Sequence, residues 1–269
     1  MNTNILSVIK AFIIKDAKIE KRYHLHFLFQ FLKILTTLTI YYFLSKLIIY
    51  KNTDYSIKSY FSFILIGISF FSILRVGLTA FTEELIRSIN TGVLESLMMS
   101  PVPASLIILC SSIWKHIFNF FRIFMYFIIG IFLFNANIMM PDIFSLIVVI
   151  ILSLIIFSSL GLISSSLVIF VKRSDPVNWI LGQIFFIFGG VLFPVKILPA
   201  PLQVFSKMIP LTYALDSFRS IFLSGHNIVD FKKDVLILFI FACVLAPLSL
   251  FIFNRMIKKA KASGTLYQH

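Results

Sequence analysis

Six stretches of this chain are long and apolar enough to cross a lipid bilayer as helices: Phe27 to Tyr50, Ile57 to Phe81, Ile113 to Phe134, Ile143 to Val171, Val177 to Val195 and Val235 to Phe253. A hydrocarbon core takes about 20 residues of helix to cross, and within it every backbone N–H and C=O must find a partner inside the protein. The pattern therefore predicts an all-α, polytopic membrane protein with six transmembrane helices in one domain over residues 1–269. With 59% of residues hydrophobic and 13% charged, the chain falls outside the range of an ordinary soluble domain.

The net charge of +13 is distributed in a way that separates lipid from nucleic acid. Lys10, Lys15, Lys18, Lys21 and Arg22 precede the first run, Lys172 and Arg173 follow the fourth, and Arg255, Lys258, Lys259 and Lys261 follow the sixth. They flank apolar runs instead of forming a solvated basic patch, so nucleic acid is not an expected partner and anionic headgroups are. Counted over short loops, this bias puts both termini in the cytoplasm, and the plasma (inner) membrane is the expected location. The N-terminal residues 1–26 read as an amphipathic interface helix, with Ile5, Val8, Ile9, Phe12 and Ile13 at helical spacing; Lys10, Lys15 and Asp16 interrupt any signal-peptide core. Cys110 and Cys243 stand far apart inside apolar runs, with no metal-ligand spacing.

Between the second and third runs the chain reads "FTEELIRSINTGVLESLMMSPVPAS". Leu85, Ile89, Val93 and Leu97 recur every fourth residue, while Glu84, Arg87, Ser88 and Glu95 fall elsewhere, and Pro101 and Pro103 stop the pattern. Residues 82–103 are thus an amphipathic cytoplasmic helix, either parked in headgroups or docked on a partner. The short connection "VKRSDPVNW" places Ser174 or Asp175 before Pro176, a helix start with proline in its first turn. On the opposite side, the prolines of Leu192 to Gly225 divide that stretch into two amphipathic pieces too short to span, a helical hairpin over 196–226 that either gates an exit or caps the surface.

Charges within spans are functional candidates by default. Lys33 and Arg75 lie close enough to span ends to snorkel. Lys115, Asn119 and Arg122 share one face of the third helix, and Arg122, the deepest, is expected to look into a protein interior; Asn119 and Arg122 are the candidate path-lining residues. The 32 phenylalanines are expected to be lipid-facing bulk more than a stacking platform.

These segments resemble the ABC type-2 transporter permeases, the membrane subunits of ATP-binding cassette exporters. "RSINTGVLESLMMSP" carries Arg87, Gly92, Leu94, Glu95, Ser100 and Pro101 of that family's pattern, with Val93 in place of a threonine. The exit-side stretch carries Gly189, Gly190, Phe193, Pro194, Leu198, Pro199, Pro210, Leu211, Thr212, Tyr213 and Arg219, with Ile209 in place of an asparagine, which puts a capping role there in doubt. Lys115 stands where the family often places an interface lysine. The resemblance implies that the helix around Glu83, Glu84, Arg87, Gly92, Leu94, Glu95, Ser100 and Pro101 couples to an ATPase. It also implies that Phe193, Pro194, Pro199, Pro210, Tyr213 and Arg219 form an exit-side gate, and that two permease copies work with two ATP-binding cassette subunits. No G-x-x-x-x-G-K-[ST] occurs, so ATP and Mg are expected on the partner, with no cofactor or metal bound by this chain and no enzymatic activity of its own. The cargo stays open among glycan, lipid-linked or amphiphilic molecule, drug-like compound and peptide.

Two other readings carry specific expectations. An intramembrane metalloprotease is faintly suggested by "EELIR" and "FLSGH", but the topology puts Glu83 and His226 on opposite faces. An ion-coupled carrier or channel calls for acidic groups at mid-membrane, and none falls within the six runs as bounded above.

Overall fold

The computed structural model describes residues 10, 12–15, 17–18, 24–51, 57–91, 104–171 and 176–262. The described backbone is helical: α1 (His24–Lys51), α2 (Ile57–Asn90), α3 (Ala104–Phe132), α4 (Ile143–Val171), α5 (Pro176–Phe188), a 3-10 turn (Val195–Ile197), α6 (Ala200–Lys207), α7 (Pro210–Ser224) and α8 (Lys232–Ala262). Five of these are long and apolar enough to span, and α5 is a shorter apolar helix. The result is an all-α polytopic membrane fold. Most of the N-terminal interface helix lies outside the described residues.

The bundle is organised around α2. Of its apolar stretch 78% is buried, against 11% for α1 and 17% for α8, so α2 is the central rod and the other two present their surfaces outward. Serine and glycine let its neighbours close on it. At the crossing of α2 with α4, a Cβ on Gly161 would stand 1.9 Å from the Gly77 carbonyl oxygen, and one on Gly77 would stand 2.7 Å from Cβ of Phe157. Ser69, Ser153 and Ser165 are fully buried, and Ser69 and Ser165 return their hydroxyls to backbone carbonyls of their own helices.

The phenylalanines are divided between outside and inside. Phe43, Phe124, Phe132 and Phe251 face outward as expected, but Phe61, Phe81, Phe157, Phe218 and Phe253 are fully buried. Phe70 stacks on Phe218 with ring centres 3.5 Å apart and meets Phe127 edge-on at 5.9 Å, while Phe127 meets Phe222 at 4.9 Å. This cluster seats α7 against α2 and α3. The hairpin is accordingly no surface cap: Leu211, Ala214, Leu215, Phe218 and Ile221 of α7 are buried in the core.

Three expected boundaries shift. The fifth run yields a helix of 13 residues ending at Phe188, about 20 Å long, because Gly189 and Gly190 break it and Gly190 takes a left-handed φ of 76°. The second span and the start of the amphipathic segment are one helix: α2 runs unbroken to Asn90, so Thr82 to Asn90 extend the span. The third helix begins at Ala104, well before Ile113. The helix start at Pro176 is as expected.

The two ends of the bundle are held differently. At the hairpin end, Ser62 Oγ accepts from the Asn137 N–H at 2.8 Å and the Met139 N–H donates to the Phe222 carbonyl at 2.8 Å. Asp142 accepts from the Ser145 N–H at 3.0 Å and from its hydroxyl, which holds the Asp142 carboxyl below its ordinary range; Ser145 Oγ in turn accepts from the Ile228 N–H at 2.8 Å. At the other end, Asn178 of α5 donates its amide to the Leu78 carbonyl at 3.0 Å and to Thr82 Oγ1 at 2.9 Å.

Gly161→Ala forces α2 and α4 apart and is expected to destabilise the detergent-purified protein by about 1–3 kcal/mol. Gly182→Ala on α5, where no atom lies within 4 Å of the new methyl, is expected to leave the melting temperature unchanged or slightly raised. Thermal melts of both variants check the contrast.

Candidate functional site

The candidate residues fall into three places along α2. At the far end of this rod, Glu83 is exposed and accepts from Lys115 Nζ at 2.8 Å; Lys115 also donates to the Ala80 carbonyl at 3.2 Å. The lysine therefore staples α3, about three turns in from its start, to α2. A solvated pair of this kind contributes at most about 1 kcal/mol, so its consequence is register more than stability. Glu84 is buried and lies 3.9 Å from Arg87, which is exposed one turn on. Gly92, Leu94, Glu95, Ser100 and Pro101 lie outside the described residues.

In the middle, two cavities flank α2. One, of about 580 Å³, lies between α1, α2 and α3 and is lined by Lys33, Arg75, Glu83, Lys115 and Arg122 together with Trp114 and Phe118. The other, of about 400 Å³, lies between α2 and α5 and is lined by Asn178, Gln183, Trp179 and Phe186. Arg75 and Thr79 line both. Arg122 thus faces a protein-lined space, as the helix-face argument predicts. Lys33 and Arg75 are exposed, Arg75 about four helical turns before the end of α2, and both open into the cavity that holds Arg122. Asn119 is buried, 2% exposed, and does not line it.

At the hairpin end, α5 stops at Phe188, and the buried turn that follows it has carbonyls to satisfy. Arg219 of α7 answers them. Its Nη2 donates to the Gly190 carbonyl at 2.8 Å and to the Val191 carbonyl at 2.9 Å, its guanidinium plane lies 3.5 Å from the centre of the Phe63 ring, and Asp216 stands 3.9 Å from Nη1. Gly67 of α2 makes room: a Cβ there would stand 2.2 Å from the Val191 carbonyl oxygen. Tyr60 adds a hydrogen bond from its hydroxyl to the Leu192 carbonyl at 3.1 Å.

The remaining gate candidates frame this turn. Phe193 and Pro194 are half-buried in it, and Pro199 is the residue preceding α6. Ile209 occupies the N-cap of α7 with no side-chain cap, as its replacement of asparagine predicts; Pro210 follows at the first helical position, and Thr212 Oγ1 donates to the Ser206 carbonyl at 2.8 Å. Tyr213 closes the hairpin by donating its hydroxyl to the Lys207 carbonyl at 2.8 Å.

The residues that sequence reasoning passed over are Asn178, Tyr60 and Gly67. Asn178 had a readable signal, an amide near the start of an apolar helix that requires an internal partner. Gly67 had none, because the chain that approaches it is more than a hundred residues away. Among the described residues no group of three or more His, Cys, Asp or Glu is placed to hold a metal. Glu83 pairs at one end of the bundle, whereas the N–H of His226 bonds the Ser220 carbonyl at the other, so the two do not share a centre.

Arg219→Met removes both hydrogen bonds to the turn while keeping the bulk of the side chain. It is expected to cost about 2–4 kcal/mol and to lower the melting temperature of the purified protein. Arg219→Lys is expected to recover only part of the loss, since an ammonium supplies a point charge in place of a planar fork.

No curated protein matches the chain. The sequence model described as ABC-2 type transporter matches residues 9–223, a stretch that begins ahead of α1 and ends within α7, one residue short of its end. It thus covers α2, both cavities and the Arg219 clamp. On that match the chain belongs to the ABC-2 type transporter family, as a membrane-embedded permease component of a family that implies an ABC ATPase partner.

Proposed function

We propose that the chain is the permease subunit of an ATP-binding cassette exporter in the plasma (inner) membrane, with both termini cytoplasmic. In this reading it works as a homodimer with two ATPase subunits, which bind the ATP and Mg and move a glycan, lipid-linked, amphiphilic or drug-like cargo outward. The observation that carries the reading is the continuity of α2. One helix, Ile57–Asn90, reaches from the Arg219-clamped turn to the Glu83–Lys115 pair and leads directly into the segment holding Gly92, Glu95 and Pro101. A displacement of that segment by the ATPase is transmitted along a rigid rod to the hairpin, so a two-state motion at one end biases the other.

Glu83, Glu84 and Arg87 are the part of the coupling surface carried on α2, and Gly92, Leu94, Glu95, Ser100 and Pro101 continue it. Phe193, Pro194, Pro199, Pro210 and Tyr213 shape the gate, and Arg219 holds it to α5. Arg122 lines the path on the α1–α3 side.

The ion-coupled alternative is disfavoured by where the acids stand. Among the described spans, Asp and Glu occur only near helix ends: Glu83 and Glu84 of α2 and Asp234 of α8. A carrier using a cation gradient requires such a group near the midplane.

Glu95→Lys and Gly92→Pro are each expected to leave the membrane level of the permease unchanged. Both co-purification with the cognate ATPase and ATP-dependent transport are expected to fall about tenfold or more. Survival of both activities in both variants removes the coupling assignment; transport that persists without the ATPase and collapses with an ionophore favours the carrier.

A further inference from the structure

The cavity between α1, α2 and α3 has an electrostatic composition that the bundle does not balance. Four cations line it, Lys33, Arg75, Lys115 and Arg122, against one carboxylate, Glu83. Glu83 is committed to Lys115 at 2.8 Å. Four minus one leaves a formal charge of +3, contributed by Lys33, Arg75 and Arg122 from three different helices. All three line the same cavity, and among the described residues no carboxylate stands at ion-pair distance from them. The Nε of Arg122 is buried and lacks a hydrogen-bond partner.

Lys33 and Arg75 are exposed where they line the cavity and Arg122 is half-buried; like charges gathered around one cavity repel, and an opposite charge that joins them relieves the repulsion. A counter-ion that balances three cations approached from three helices has to carry more than one negative charge and present acceptors in several directions. A carboxylate offers one charge and two oxygens in one plane. A phosphate monoester carries a charge of about −1.5 to −2 and three terminal oxygens, and two guanidinium forks grip it from different sides. The cavity, at about 580 Å³, has the volume of a small-molecule site. Trp114 and Phe118 beside the cations supply an apolar wall for whatever the phosphate is attached to.

We propose that Lys33, Arg75 and Arg122 form a binding site for a phosphate-bearing anion, the charged end of the molecule this permease moves. The site rests on the export reading only for the word cargo; its occupancy by phosphate is a property of the chain alone. Because Arg75 and Thr79 also line the α2–α5 cavity, a phosphate released by Lys33 and Arg122 has Arg75 to follow toward the α5 side and the clamped turn beyond it.

The test is binding to the full-length permease purified in a non-ionic detergent without nucleotide. The probes are short-chain phosphatidic acid, short-chain phosphatidylcholine and inorganic phosphate. Phosphatidic acid is expected to bind about tenfold or more tightly than phosphatidylcholine, with an affinity that falls as salt is raised. Lys33→Gln, Arg75→Gln and Arg122→Gln are each expected to weaken binding about tenfold, and Lys258→Gln on the exposed end of α8 is expected to leave it unchanged. Should Arg122→Gln fail to fold, the exposed Lys33 and Arg75 variants carry the comparison. Phosphate binding as well as phosphatidic acid identifies a free anion, and phosphatidic acid binding better identifies a lipid-attached one; either supports the site. Equal affinity for the zwitterionic lipid, or unchanged binding in the Lys33 and Arg75 variants, overturns it. In the assembled transporter trapped with an ATP analogue, a fall in affinity of about tenfold supports cargo. Unchanged affinity there overturns the cargo role and leaves the site, and loss of ATPase coupling with binding intact counts against the export reading alone.

Discussion

Backbone carbonyls of a turn buried within an apolar bundle have no water to satisfy them, and the answer to that constraint organises this protein. Helix α5 stops after 13 residues, and Arg219 reaches from α7 to the Gly190 and Val191 carbonyls. Everything around the clamp follows from accommodating it. Gly67 gives up its side chain so that the turn can lie against α2, Phe63 offers a ring face to the guanidinium, and the aromatic cluster of Phe70, Phe127, Phe218 and Phe222 fixes α7 at the depth where the arginine can reach. A charge that is costly to bury becomes the means by which the turn after a short helix is satisfied inside the protein.

The clamp also explains why α2 is the central helix. Its first half receives the exit turn through Gly67 and Tyr60, its middle receives α4 through Gly77, and its last turns receive α5 through Thr82 and α3 through Glu83. The rod is held along its length by close backbone approach at Gly67 and Gly77, by short polar contacts at its ends, and by the aromatic cluster around Phe70. Such an element moves as a unit or not at all, which suits a lever. The cation-lined cavity sits beside the same helix, between its two ends, so a shift of α2 relative to α1 and α3 changes the distance between Arg75 and its two partners. Binding and motion are thereby linked through one element.

Much of this was readable from residues alone, and the reasons for the exceptions are physical. Hydropathy and charge bias revealed the helices because lipid imposes a single length and a single backbone solution. Ile209 correctly predicted an N-cap without a side-chain bond, and Pro176 marked a helix start. The fifth span was read too long because Gly189 and Gly190 leave hydropathy high while ending the helix. The amphipathic segment was separated from the second span because its composition changes at Thr82, although helical hydrogen bonding continues to Asn90. Half of the phenylalanine story was hidden for the same reason: composition counts rings but does not say which of them, such as Phe157 and Phe218, pack inward. Lys33, Arg75 and Arg122 each had a local explanation, and their convergence from three helices is a tertiary fact that no spacing within one helix discloses.

The central claim is that events at the ATPase-facing end of α2 move the hairpin at the other. It is tested most directly by pulsed electron-spin distance measurement between the two permease copies of the assembled transporter, each labelled at the exposed Val204 of α6 after replacement of Cys110 and Cys243. The account predicts that trapping with ATP and vanadate shifts the distance distribution between the two labels relative to the nucleotide-free state. An identical distribution in both states, in a preparation that transports its cargo, contradicts it.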